Sequence, residues 1–128
     1  MTIKDAVRLV DRLKPNSYSE PLKVQWLSKL DGQIWRDVIS THRPADGEEL
    51  PETFDGYSDE TPIDTELLVA FPYDEDVYSN YLQAMIDKEN GETGKYNVAI
   101  TMYNAAMQAY SNWYNRTHMP IAGPRWLF

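Results

Sequence analysis

Between Tyr96 and Asn115 the chain runs for 20 residues without one Asp, Glu, Lys or Arg, although a quarter of all its residues are charged. A lone surface helix carries charge on its outer face, so this stretch predicts a helix with protein on more than one side. Its spacing is helical. Tyr96, Tyr103 and Tyr110 are seven apart, as are Ala99, Ala106 and Trp113, and also Ile100, Met107 and Tyr114. Three such layers fit a short coiled coil or an intramolecular bundle equally well. The opposite side reads Asn97, Thr101, Asn104, Gln108, Ser111, Asn112 and Asn115, a polar uncharged face that is either solvated or hydrogen-bonds across a subunit contact. Its amides are too many for a membrane span.

The rest of the chain predicts three further helices. Thr2 is a fitting N-cap for a helix to Lys14, with Ile3, Ala6, Val7, Val10 and Leu13 on one face and Pro15 ending it. Ser19, followed by Glu20 and Pro21, starts a second helix. Leu22, Trp26, Leu27, Leu30, Ile34, Val38 and either Trp35 or Ile39 form one apolar stripe, Trp26 and Trp35 are both read as core anchors, and Gly32 marks a close crossing or a bend. Pro72 precedes a third, whose first turn carries Asp74, Glu75 and Asp76 at the positive end of the helix dipole. Tyr73, Val77, Tyr81, Leu82, Met85 and Ile86 form its buried face, and Asp87, Lys88 and Glu89 its wet end. The fold class read from this pattern is mainly α: about four helices in a bundle, one domain over residues 1–116, with a long acidic loop and an extended C-terminal arm. Leu67 to Phe71 is too short a run to type, a buried strand or an extended lead-in.

Charge is distributed unevenly. Thr41 to Asp76 holds 12 of the 20 acids against Arg43 alone, a net of −11, so the remaining residues carry +3. This argues against a nucleic-acid-binding surface there and for a solvated segment or one facing a basic partner. Pro44, Pro51, Pro62, Gly47 and Gly56 make residues 41–66 a loop that Phe54 and Tyr57 pin to the body or to a neighbour. The acids lack the spacing of a calcium loop. Residues 117–128 read as an extended arm, because Pro120 and Pro124 bar a helix. Its end, Arg125, Trp126, Leu127 and Phe128, is too apolar to stay in water and docks in cis or on another chain.

Catalytic patterns are missing. There is no cysteine, and His42 and His118 have no helical metal-ligand neighbour. No phosphate loop, nucleophile elbow or zinc-protease helix occurs. The reading is of a protein that is not an enzyme and needs no metal or cofactor. Without an apolar signal core or a run of 18 apolar residues, it is expected to be soluble and not secreted.

Several stretches together resemble a family of small proteins encoded in the structural-gene region of tailed bacteriophages and prophages of low-GC Gram-positive bacteria. They are Lys14-Pro15-Asn16-Ser17-Tyr18, Trp26 to Gly32, Leu67-Leu68 with Phe71-Pro72-Tyr73-Asp74, Val77-Tyr78 with Tyr81-Leu82, Tyr96-Asn97, Tyr103 to Ala106 and Arg116-Thr117-His118. The family is similar in size and helical make-up to head-tail connectors. The resemblance implies a virion protein assembled in the host cytoplasm, a homo-oligomeric ring between portal and tail-side proteins through which packaged DNA passes without sequence-specific contact. Asn97, Asn104, Gln108 and Asn112 would supply lateral contact, and Arg125, Trp126, Leu127 and Phe128 the grip on neighbouring rings. The alternative is an acidic regulatory protein that mimics DNA toward a basic partner.

Overall fold

The computed structural model describes residues 1–121. Four helices account for most of it: α1 (Ile3–Leu13), α2 (Glu20–Ile34), α3 (Asp74–Glu89) and α4 (Thr93–Thr117). The fold is mainly α, as the periodicity predicts.

Local chemistry sets the helix ends. Thr2 and Asp5 form a reciprocal capping box at 3.0 and 3.1 Å, which satisfies two otherwise unpaired N–H groups of α1. Ser19 accepts from the Leu22 N–H at the start of α2. Two residues past the end of α3 stands Gly91, whose φ of +72° lets the chain turn back within three residues into α4. α3 and α4 therefore pack side by side as an antiparallel pair, with α1 and α2 against α3.

Ile3, Ala6, Val7 and Val10 of α1, Leu27, Leu30 and Ile34 of α2, Val77, Tyr78, Leu82 and Ile86 of α3, and Tyr110 and Tyr114 of α4 make one core. Trp26 and Trp35 are only half-buried at its edge. The helix expected through Ile39 changes character after Ile34. Trp35–Ile39 is a π-helical turn closed by the Ser40 N–H on the Trp35 carbonyl at 2.7 Å. The wider turn leaves Ile39 buried and lets the Trp35 indole donate to the Pro51 carbonyl at 3.4 Å.

Two expectations for α3 need correction. Tyr78 is completely buried, while Tyr81 and Met85 are half-buried. Asp87, expected at the wet end, is 1% exposed because Lys14 folds over it with both carboxylate oxygens within 2.7 Å of the ammonium group. A charge so placed is tolerable only when paired. Lys23 is treated similarly, bonded to Asp11 and to the Tyr18 carbonyl.

Leu67 to Phe71 forms no strand: it bends at Leu68 and Val69, and the Tyr73 N–H closes a turn on the Ala70 carbonyl at 3.0 Å that leads into α3. Thr2 bridges Glu66, the Leu67 N–H reaches the Met1 carbonyl, Leu67 and Val69 point into the core, and Phe71 points out.

Candidate functional site

The buried centre of the molecule is Asp31, on α2. It is fully buried, and among the described residues no ion pair reaches it. One oxygen accepts from the Tyr57 hydroxyl (2.5 Å) and the Leu68 N–H (3.1 Å), and the other from the Tyr78 hydroxyl (2.6 Å). Tyr78 in turn accepts from the Val69 N–H at 2.9 Å, so its own proton is committed to Asp31. Burial raises the Asp31 carboxyl above the usual carboxylate range, against the three donors that lower it. Burial, reinforced by the Asp31 charge, also pushes the Tyr57 and Tyr78 hydroxyls up. No solvent reaches Asp31, so its role is that of an acceptor that ties the loop to α2 and α3.

The acidic segment is thus fastened at several points, more than the expected aromatic pins. The Tyr57 N–H donates to Ser28 at 2.8 Å. Gly56 makes that approach possible, since its φ is +88° and a Cβ there would lie 2.7 Å from the Ser28 hydroxyl. Phe54 packs edge-on against Tyr57 and reaches Gly32, where the sequence indicates a close crossing. The carboxylates of Asp46, Glu49, Glu52, Asp55, Asp59, Glu60 and Asp64 are exposed on this fixed mount. Among the described residues no group of acids or histidines could hold a metal ion.

A second cluster closes the C-terminal end of α4. His118 stacks on Tyr114 with ring centroids 3.7 Å apart, and its Nε2 lies 2.8 Å from Glu48. His42 contacts Tyr114 edge-on and bonds Asn115 at 2.7 Å. Extended chain begins at His118 and docks on its own body: the Arg43 N–H donates to the Met119 carbonyl at 2.7 Å, and the Ile121 N–H to the Thr41 carbonyl at 2.8 Å. Arg125, Trp126, Leu127 and Phe128 lie outside the described residues.

The heptad-spaced residues of α4 face inward as expected. Ala99, Tyr110 and Tyr114 are buried, and Tyr96, Ile100, Tyr103, Ala106, Met107 and Trp113 are half-buried. Burial pushes the Tyr103 and Tyr114 hydroxyls up to about 12. On the other side Asn97, Asn104, Gln108 and Asn112 are all exposed, and Gln108 donates to Asn112 along the helix at 2.9 Å. Asn115 is drawn off this face by His42.

Sequence reasoning missed what lies between the amides. Val98, Met102, Ala105 and Ala109, spaced four, three and four, form a second seam on the outward face, with Val98 64% and Met102 55% exposed. The spacing was available, but the stronger tyrosine layers already accounted for the helix. Val98 and Met102 also line a groove of ≈ 640 Å³ between α3 and α4, whose charged lining residues are Lys14 and Lys95. No helix among the described residues is long and apolar enough to cross a membrane. Comparison with protein families, curated proteins and solved structures finds no match for this chain.

Proposed function

We propose that this chain is a structural protein of a tailed phage virion, a head-tail connector or adaptor whose copies form a ring between the portal and the tail and which acts by geometry, without catalysis. One observation carries the reading: between Lys95 and Arg116 the helix α4 turns outward a face that is free of charge yet bears exposed Val98 and Met102, on a molecule of net charge −8. Copies of so acidic a protein repel one another over most of their surface, and a charge-free strip is where they can approach. Asn97, Asn104, Gln108 and Asn112 border that strip with groups that both donate and accept, so a neighbour can satisfy them. The exposed carboxylates of residues 46–64 suit a lumen through which DNA slides, because they repel phosphate. Assembly takes place in the host cytoplasm, and Arg125 to Phe128 reach for the adjoining virion proteins.

Mass spectrometry of particles from the phage or induced prophage that encodes the chain is expected to find it at a fixed copy number above one, and deletion of its gene to leave heads without tails. Infectious tailed particles lacking the chain refute the proposal.

A second reading, an acidic protein that mimics DNA toward a basic partner, draws support from the fastening of the acidic loop, since mimicry needs carboxylates held in place. Neutralising the exposed acids from Asp46 to Asp64 abolishes partner binding under that reading and leaves ring assembly intact under the first.

A further inference from the structure

Ile121, the last described residue, forms part of the wall of a groove of ≈ 350 Å³. Trp35 and Ile39 from the π-helical turn and Leu50 and Pro51 from the acidic loop make that wall largely apolar; its one acid is Glu52, and no Lys or Arg lines it. The Trp35 indole bonds the Pro51 carbonyl, so the two sides are tied together. Among the described residues no salt bridge reaches Glu52.

The chain is delivered to this groove with a fixed heading. His42 and Pro120 bridge in the antiparallel sense, the Arg43 N–H donates to the Met119 carbonyl at 2.7 Å, and the Ile121 N–H to the Thr41 carbonyl at 2.8 Å. Running antiparallel to residues 41–43, the chain leaves Ile121 toward Ser40 and Ile39, both on the groove wall. The sequence continues Ala122-Gly123-Pro124-Arg125-Trp126-Leu127-Phe128. Gly123-Pro124 is a turn dipeptide, and the three large apolar side chains stand five to seven residues beyond Ile121, roughly 17–23 Å of extended chain. Arg125 is the only charged side chain of the segment, opposite in sign to Glu52.

We infer that residues 122–128 turn back and seat their apolar end in this groove of their own chain, with Arg125 facing Glu52. The tether decides for the same chain over a second copy. A seat a few residues away is met at an effective concentration on the order of 1 mM, while another copy arrives at its solution concentration and against the repulsion between two molecules of net charge −8. A volume of ≈ 350 Å³ lies within the roughly 300–1,000 Å³ of small-ligand sites, so an aromatic side chain fits. The filled groove fastens three segments to one another: the π-helical turn after α2, the acidic loop and the chain beyond α4. In a free subunit the arm is thus held in, and a neighbour that takes Arg125 to Phe128 does so by displacing them from this seat. The seat itself does not depend on the connector reading.

The chain has no cysteine, which makes a direct test simple. A chain carrying both Leu50→Cys and Leu127→Cys is oxidised mildly and compared with one carrying Asn112→Cys and Leu127→Cys, Asn112 being exposed on the outward face of α4. Disulfide closure within one molecule is expected to be about tenfold higher for the first, ~1.4 kcal/mol. Adding Arg125→Glu is expected to lower that closure, and Glu52→Lys on top of it to restore it. Circular dichroism of each variant establishes that it is folded, and Glu52→Cys, on the exposed rim of the same groove, replaces Leu50→Cys if the latter unfolds. Equal closure of the two chains overturns the inference. So do disulfide-linked dimers in excess of closed monomers, which would place the arm on a second copy.

Discussion

The sharpest test of the architecture is Tyr78→Phe, which deletes one oxygen atom from the core. That oxygen donates to Asp31 and accepts from Val69, and Tyr78 is 0% exposed, so water cannot replace it. Two groups are orphaned. The Val69 N–H costs about 1–3 kcal/mol when left buried without an acceptor, and the lost bond to a charged carboxylate about 1.5–3. Together they place the cost at roughly 3–5 kcal/mol, a large share of the ~5–15 kcal/mol that holds a domain together. A domain of this size should lose about 10 °C or more in Tm. Tyr57→Phe is the control. Tyr57 is half-buried, and the oxygen it serves keeps the Leu68 N–H, so the cost should be only about 1–2 kcal/mol.

The two variants also respond to pH in a defined direction. Burial holds the Asp31 carboxyl above the ordinary aspartate value of 3.8 in the folded protein. The native state therefore binds this proton more tightly than the unfolded chain does. The resulting stability is fully present below the unfolded pKa and is lost as pH rises through the folded one. Removing a donor raises the folded value further, so the penalty of Tyr78→Phe should be smaller near pH 4 than at pH 7. Urea unfolding followed by tryptophan fluorescence measures both. A Tyr78→Phe cost below about 1 kcal/mol, or one no larger than that of Tyr57→Phe, would show that Asp31 does not carry the loop.

Three further outcomes follow from other contacts. Lys14→Met strips Asp87 of its cation and should destabilise by about 2–4 kcal/mol, while pairing it with Asp87→Asn recovers part of the loss in the same denaturation assay. Gly56→Ala forces a side chain into a φ of +88° and against Ser28, so limited proteolysis should cut residues 41–66 faster, with global stability down by roughly 1–2 kcal/mol. Ultraviolet titration should leave Tyr103 and Tyr114 un-ionised at pH 11, since burial raises both to about 12. Their contribution to stability is full below pH ~10 and disappears as pH rises through about 12, so alkaline unfolding should bring their ionisation forward.

How much of this was legible in the chain depended on how local the cause was. The caps at Thr2 and Ser19, the break at Pro15 and the inward layers of α4 are each decided within one helical turn, or by one period, and were readable. The burial of Asp31 and Asp87 was not. A carboxylate goes inside only when its partners arrive, and these come from far along the chain: Tyr57 and Tyr78 for Asp31, and Lys14 for Asp87. The loop composition of residues 41–66 was read correctly as irregular, but irregular chain can still be tightly held when its hydrogen bonds go to side chains. On the outer face of α4 the amides Asn97, Asn104, Gln108 and Asn112 were placed correctly, while the apolar seam between them went unread.

The fastening of the acidic loop has a consequence for its electric field. Asp31 holds the loop through buried hydrogen bonds rather than ion pairs, so added salt does not loosen it. Salt does shorten the reach of the exposed carboxylates, to about 8 Å at physiological ionic strength and about 3 Å at 1 M. Shape and field are thus decoupled: ionic strength dims the negative lobe without moving it. A basic surface approaching the loop meets charges already in position, and no ordering entropy is lost in arranging them.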